Sequence, residues 1–109
     1  MEIVLIGLSH RTATVELRER VAFSPEQARE AAEQLRSRGI LEETMVLSTC
    51  NRSELYGVPG ELSADSAGAV ELFLASYHRM SPSELGGSLY RHRDSHAVRH
   101  LFRVAAGLD

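Results

Sequence analysis

An apolar β-branched run at the N-terminus, a helix opened by a capping box, two closely spaced strands, a second amphipathic helix and a last short strand follow one another along the chain. That order, β-α-β-β-α-β, predicts an α+β domain of the ferredoxin-like, split βαβ type: four antiparallel strands with the two helices on one face, plus a C-terminal helix. At 109 residues the chain is one domain with a single modest core.

The elements can be justified in turn. Glu2 to Leu8, EIVLIGL, is a short apolar run closed by polar Ser9-His10-Arg11-Thr12 and reads as a buried strand. Thr14 can cap a short helical segment through about Val21. Ser24-Pro25-Glu26-Gln27 is a capping box with Pro at the first helical position. Ala28, Ala31, Ala32 and Leu35 then form one apolar stripe, and Gly39 ends the helix. Thr44 to Ser48 and Ser53 to Val58 read as strands, with Cys50, Asn51 and Arg52 between them. Helical spacing of Val70, Phe73, Leu74 and Tyr77 predicts a helix from about Ala64 to Arg79, after the loop-rich stretch GELSADSAGA. Ser81-Pro82-Ser83-Glu84 starts a short turn of helix ended by Gly86-Gly87. Ser88 to His92 reads as the fourth strand, and Asp94 as the cap of a last helix with the stripe Val98, Leu101, Phe102, Ala105 and Leu108.

Composition narrows the function classes. With 43% apolar residues, 25% charged residues and a formal charge of −3, the chain has the balance of an ordinary globular protein. Net acidity argues against a general nucleic-acid module, although YRHRDSHAVRHLFR is locally basic and could meet a polyanion. No apolar run approaches the roughly 20 residues that span a bilayer, and MEIVLIGLSH lacks the regions of a signal peptide, so the expected compartment is the cytoplasm, away from membranes.

The single cysteine excludes an internal disulfide and cannot alone build a zinc site. Cys50 stands in LSTCNRSEL, beside hydrogen-bonding and cationic groups rather than the apolar neighbours of a core filler. It is either an inert filler or a free thiol with a task. A guanidinium near the thiol, that of Arg52 for instance, would favour the thiolate; Arg52 could instead hold a carboxylate in a bidentate pair. His92, His96 and His100 are spaced by four, but His92 precedes the expected cap, so they do not share one helix. His96 and His100 fall on the polar side of the last stripe, as solvated histidines or, for His100, as a substrate-facing group. Gly7-Leu8-Ser9-His10-Arg11-Thr12 lacks the further glycines of a dinucleotide fingerprint and the Gly-Lys of a P-loop. Glu16-Leu17-Arg18-Glu19-Arg20 reads as a solvated helix face.

Three stretches, GLSHRTATVELRERVAF, VLSTCNRSELYG and HAVRHLFRVAAGLD, resemble the successive motifs of the glutamyl-tRNA reductase family, in order and over the whole chain. The resemblance implies that residues 1–109 are the N-terminal catalytic, substrate-binding domain of an NADPH-dependent oxidoreductase. Such an enzyme converts glutamyl-tRNA to glutamate-1-semialdehyde through a cysteine thioester, the first step of porphyrin synthesis from glutamate. It implies Cys50 as nucleophile, His100 as a residue important for activity, and Thr49, Asn51 and Arg52 as substrate-binding residues. It also implies that NADPH is bound by a domain absent from this chain, as is the dimerisation domain, that the full-length enzyme is a homodimer, and that an aminomutase takes the semialdehyde. Neither a metal nor a cofactor site is expected within residues 1–109. A different class of function stays open: a non-catalytic ferredoxin-like module that binds a small carboxylate or haem for regulation.

Overall fold

The computed structural model describes residues 2–60 and 65–109. Its elements are β1 (Val4–Ser9), α1 (Val15–Arg20), α2 (Pro25–Ser37), β2 (Leu41–Thr49), β3 (Arg52–Pro59), α3 (Ser66–Tyr77), α4 (Pro82–Gly86), β4 (Tyr90–Arg93) and α5 (Asp94–Ala105). The strands form one sheet in the order β2-β3-β1-β4, with every neighbouring pair antiparallel. This is the ferredoxin-like arrangement, with α5 added.

Strand periodicity divides the sheet into two faces. Val4, Ile6, Leu8 and Leu55 point to the side where α2 and α3 lie, and build the main core with Ala31, Leu35, Val70, Phe73 and Leu74. Leu5 and Tyr56 point the other way and meet Ala97 of α5, with Ile3, Leu47, Tyr90 and Leu101 around them. Burying a leucine- or phenylalanine-sized side chain stabilises by about 1.5–3 kcal/mol, so the α2–α3 face supplies most of the cohesion.

The helix starts follow their capping residues. Ser24 Oγ accepts from Gln27 N (3.1 Å) while the Gln27 side chain accepts from Ser24 N (2.9 Å), a complete capping box. Thr14 Oγ1 accepts from Leu17 N at the start of α1. Gly39, at φ 73°, takes the left-handed conformation that lets the chain turn from α2 into β2.

Several boundaries differ from the sequence reading. β2 begins three residues earlier than Thr44, because an irregular pairing near Leu41 and Glu43 carries the strand through the acidic pair that precedes it. α3 is capped by Asp65, whose Oδ1 accepts from Gly68 N (3.0 Å); the expected start at Ala64, with Glu61, Leu62 and Ser63 of the loop-rich stretch, lies outside the described residues. Asp94 is not the N-cap of the last helix. It is the first residue of α5, at φ 52°, and its Oδ1 accepts from Ile3 N (2.9 Å), so the side chain ties the helix to the start of β1 while Arg93 occupies the cap position. Asp tolerates this backbone better than most residues.

The rotation of α5 is the main correction. Ala97, His100, Leu101 and Val104 form its inward row, whereas Val98, Phe102 and Leu108 of the expected stripe are exposed, Phe102 at 69%. Apolarity alone would turn Phe102 inward. The small Ala97 instead lets the helix approach Leu5 and Tyr56, and His100 finds a hydrogen-bonding partner in the sheet.

Candidate functional site

The β2–β3 hairpin closes between Thr49 and Arg52, which are paired, so Cys50 and Asn51 form a two-residue loop at the tip. Cys50 is exposed. Its main-chain oxygen accepts from Arg18 Nε (3.2 Å), and that of Asn51 accepts from His10 N (2.7 Å). Asn51 N in turn donates to Thr49 Oγ1 (3.1 Å). The tip is thus braced against the loop after β1 and against α1. Arg18, which the sequence presents as part of a solvated charge run, reaches across to the hairpin.

β3 then projects alternate side chains onto the α5 face: Arg52, Glu54 and Tyr56. Glu54 is completely buried. Its Oε1 accepts from Tyr56 OH (2.8 Å); its Oε2 accepts from Arg52 Nη1 (3.2 Å), Tyr90 OH and His100 Nε2 (2.6 Å). Burial, then the hydrogen bonds to Glu54, push both tyrosine hydroxyls well above their ordinary range, so both stay protonated donors. A carboxylate only accepts, which places the proton of a neutral His100 on Nε2 and leaves Nδ1 with a free lone pair.

Gly7 makes this cluster possible. In the register it lies between Glu54 on β3 and Tyr90 on β4, so the three form one row across the sheet. A Cβ on Gly7 would come within 2.8 Å of Glu54 Cγ and 2.9 Å of the Ser53 oxygen, and the missing side chain is the space through which Glu54 and Tyr90 meet.

Arg52, 5% exposed, is shared between two carboxylates. Besides Glu54 it donates from Nη1 (3.3 Å) and Nη2 (3.4 Å) to Asp109 Oδ2, and from Nη2 to the Asp109 main-chain oxygen (3.2 Å). Burial would lower the guanidinium, but Glu54, Tyr90 and Asp109 together outweigh it and hold the group above its ordinary value. Burial would raise the Asp109 carboxyl; His100, Arg52 and Arg11 together hold it below the usual carboxylate range. His100 is not solvated as its position on the helix wheel predicts: only 11% of its side chain is exposed. Its ring packs at a tilt against those of Tyr90 and His92, with centroids 5.1 Å away in each case. His92 lies on β4 and His96 on α5, and burial, then His100 and His96, depress the His92 imidazole. Among the described residues no three His, Cys, Asp or Glu side chains converge to hold a metal ion.

Thr49, Cys50, Asn51 and Arg52 therefore share one end of the hairpin, and His100 joins Arg52 through Glu54. Glu54, Tyr56 and Tyr90 were not among the residues singled out by sequence, which noted Gly7 only within the stretch after the first strand and Arg18 only within a solvated charge run. The period-2 row Arg52, Glu54, Tyr56, three polar groups on one face of a central strand, was the available signal for the first two. A separate cleft of 310 Å³ between α5 and the β2–β3 ribbon, lined by Ile3, Met45, Tyr56, Val98 and Leu101 among others, contains none of the predicted site residues. Its lining includes Glu43 and Thr44 but no thiol, so the hairpin tip with Cys50 is the better candidate for chemistry. No helix among the described residues is long and apolar enough to cross a membrane.

Comparison with known proteins places the fold in a family. Residues 6–109 match the family described as "Glutamyl-tRNAGlu reductase, N-terminal domain". Over all 109 residues the chain is 50% identical to glutamyl-tRNA reductase of Marinobacter nauticus and 51% identical to that of Pseudomonas fluorescens, in each case spanning 25% of the relative's length. Among solved structures, glutamyl-tRNA reductase from Methanopyrus kandleri superimposes with a TM-score of 0.72 at 30% identity, over 97% of this chain and 22% of that one. With a family match that runs from β1 to the last residue, the chain belongs to the family of glutamyl-tRNA reductase N-terminal domains.

Proposed function

We propose that this chain carries the acyl-transfer chemistry of an NADPH-dependent glutamyl-tRNA reductase, in which Cys50 takes glutamate from glutamyl-tRNA as a thioester on the way to glutamate-1-semialdehyde and porphyrins. The observation that carries the reading is the placement of an exposed thiol at the hairpin tip, two residues before Arg52 of a buried Arg52–Glu54–His100 network, in a chain of this family.

The step is an exchange of ester for thioester. The Cys50 thiolate adds to the ester carbonyl, the C–S bond forms, the C–O bond to the terminal ribose breaks, and the tRNA oxygen leaves with the proton given up by the thiol. An aminoacyl ester is already activated, so no closely coupled base is required at the sulfur. We assign Arg52 to the glutamyl carboxylate, which would take the place that the Asp109 carboxylate holds against Nη1 and Nη2; a carboxylate seated there beside Glu54 supports the assignment. Thr49 and Asn51 frame the same tip. His100, oriented by Glu54 with Nδ1 free, is suited to carry the proton to the leaving oxygen.

The hydride donor does not fit these residues. In the loop after β1, the amides of Ser9, His10, Arg11, Thr12 and Ala13 are all engaged within the protein, by Thr12 Oγ1, the Asn51 oxygen, Ser9 Oγ and, for the last two, the Ser9 oxygen. None is left to cradle a pyrophosphate. We therefore place NADPH, and the homodimer contacts, in the part of the relatives that this chain does not span, and derive no reduction step from residues 1–109. An aminomutase that accepts the semialdehyde, and the cytoplasm as its setting, complete the reading.

The test is loss of charged tRNA without NADPH. The chain should deacylate glutamyl-tRNA slowly through the thioester; Cys50→Ser should abolish this, and His100→Ala should slow it by about 10²- to 10⁴-fold, the range of a proton-transfer group. Equal rates for Cys50→Ser and the natural chain would remove the nucleophile from the proposal. A regulatory module would instead bind glutamate or haem without any Cys50-dependent turnover.

A further inference from the structure

The hairpin that carries Cys50 has an unusual tip. Two-residue hairpin loops favour turns with positive φ at the first or at both central residues, because that backbone matches the twist of the strands. Here neither Cys50 nor Asn51 has it; among the described non-glycine residues only Arg79 and Asp94 do. A tip without the matching twist needs bracing, and its two outward main-chain oxygens receive it from elsewhere in the chain: Asn51 from His10 N, and Cys50 from Arg18 Nε. Arg18 has a second hold, since its Nη1 donates to the Ala13 oxygen at 2.8 Å. One planar guanidinium thus bridges the loop before α1 and the residue that bears the thiol. Its own main chain is anchored by Arg18 N to the Thr14 oxygen (3.0 Å), in the first turn of a capped helix.

We propose that Arg18 is a positioning residue for Cys50: by fixing the Cys50 main-chain oxygen to α1, it sets the direction in which the sulfur is presented to the ester. This rests on the reading of Cys50 as the nucleophile. The role belongs to the fork of donors rather than to the charge, because two carbonyls are held at once through Nε and Nη1. An ammonium on a flexible stem cannot span them in the same fixed plane.

The test compares the natural chain with Arg18→Met, Arg18→Lys and, should Met not fold, Arg18→Gln. Glutamyl-tRNA deacylation is followed without NADPH, and the exchange of the His10 amide is followed by NMR. Misplacement of a reacting group by about 1 Å costs on the order of 10²-fold. Arg18→Met should accordingly lower kcat by about 10- to 100-fold with KM changed less than about threefold, and Arg18→Lys should not restore it. The His10 amide, which reports closure of the tip, should lose roughly tenfold of its protection in both variants, about what one net hydrogen bond supplies. A kcat within twofold of the natural chain, or full rescue by lysine, overturns the proposal. If the natural chain itself shows no Cys50-dependent deacylation, the functional reading fails, and the exchange data decide the brace alone: unchanged His10 protection in Arg18→Met refutes it.

Discussion

Glu54→Gln is the sharpest probe of the site, because it changes one charge and almost no volume. In the native chain three donors converge on Oε2, from Arg52, Tyr90 and His100, and one on Oε1, from Tyr56. Glutamine keeps a single acceptor oxygen. If that oxygen stays toward the three donors, the amide NH₂ meets Tyr56, whose hydroxyl can rotate to accept, so the loss there is small. The Tyr90 and His100 bonds lose their ionised acceptor and the Arg52 bond, still cationic at the donor, ceases to be an ion pair, each a loss of about 1 kcal/mol. Arg52 keeps Asp109 as a partner but loses its buried one. The sum, about 3 kcal/mol, falls at the low end of the 3–5 kcal/mol found when one member of a buried pair is removed. For a chain of this size it corresponds to a fall in Tm of about 12 °C, at roughly 4 °C per kcal/mol. Thermal and urea denaturation followed by circular dichroism would read it, with an unchanged m-value as the check that the same transition is compared. A loss below about 1 kcal/mol would refute the reasoning, by showing that relief from burying the charge offsets the bonds it receives.

Other expected outcomes are equally open to measurement. Gly7→Ala should destabilise by about 1–3 kcal/mol, as overpacking does, because the new Cβ falls within 2.8 Å of Glu54 Cγ; a chemical-denaturation midpoint equal to that of the natural chain would contradict this. Arg52→Lys should raise KM for glutamyl-tRNA in Cys50-dependent deacylation by at least about tenfold, since an ammonium cannot pair two donors with a carboxylate; unchanged KM would assign the substrate carboxylate elsewhere. His78 is depressed by burial, its Nε2 lies buried without a hydrogen-bond partner, and its ring packs on Phe23 at 4.6 Å. A depressed folded value means that the unfolded chain binds the proton more readily. Its contribution is therefore complete above the ordinary value of about 6.5 and is lost as pH falls below it. His78→Phe should flatten the stability decline between pH 7 and 5 at no cost at neutral pH, leaving the part due to His92; an identical slope would clear His78 of that role.

The parts of the fold legible in the sequence are those determined locally. The capping box at Ser24, the cap at Thr14 and the left-handed stop at Gly39 involve residues within a few positions of one another, and each appears in the structure where the sequence places it. Strand order followed from the alternation of short apolar runs and capped helices. What escaped is non-local. Glu54 and Tyr90 are 36 residues apart and meet only because both pair beside Gly7. Arg18 looks like any arginine in a charged helix until the hairpin 32 residues away folds against it. The helix wheel of α5 misplaced His100 for a related reason. Apolar periodicity ranks Phe102 above histidine for burial, but it does not register a carboxylate waiting in the sheet. TCNR itself was legible as a motif, while the occupation of Arg52 by Glu54 and Asp109 was not.

Packing α5 on its own face of the sheet has a consequence for how the molecule opens. The main core lies on the opposite side, and among the described residues the α5 face contributes only Leu5, Tyr56 and Ala97 as buried apolar side chains, with the polar cluster beside them. Detaching α5 leaves α2, α3 and the strand ladders intact, so this helix should form a separate exchange unit with an opening free energy below that of the whole chain. Cys50, Arg52 and Glu54 would remain on the sheet in that open form while His100 departed with the helix. The two halves of the site thus belong to two different cooperative units, and the population of the assembled site depends on the docking equilibrium of a single helix.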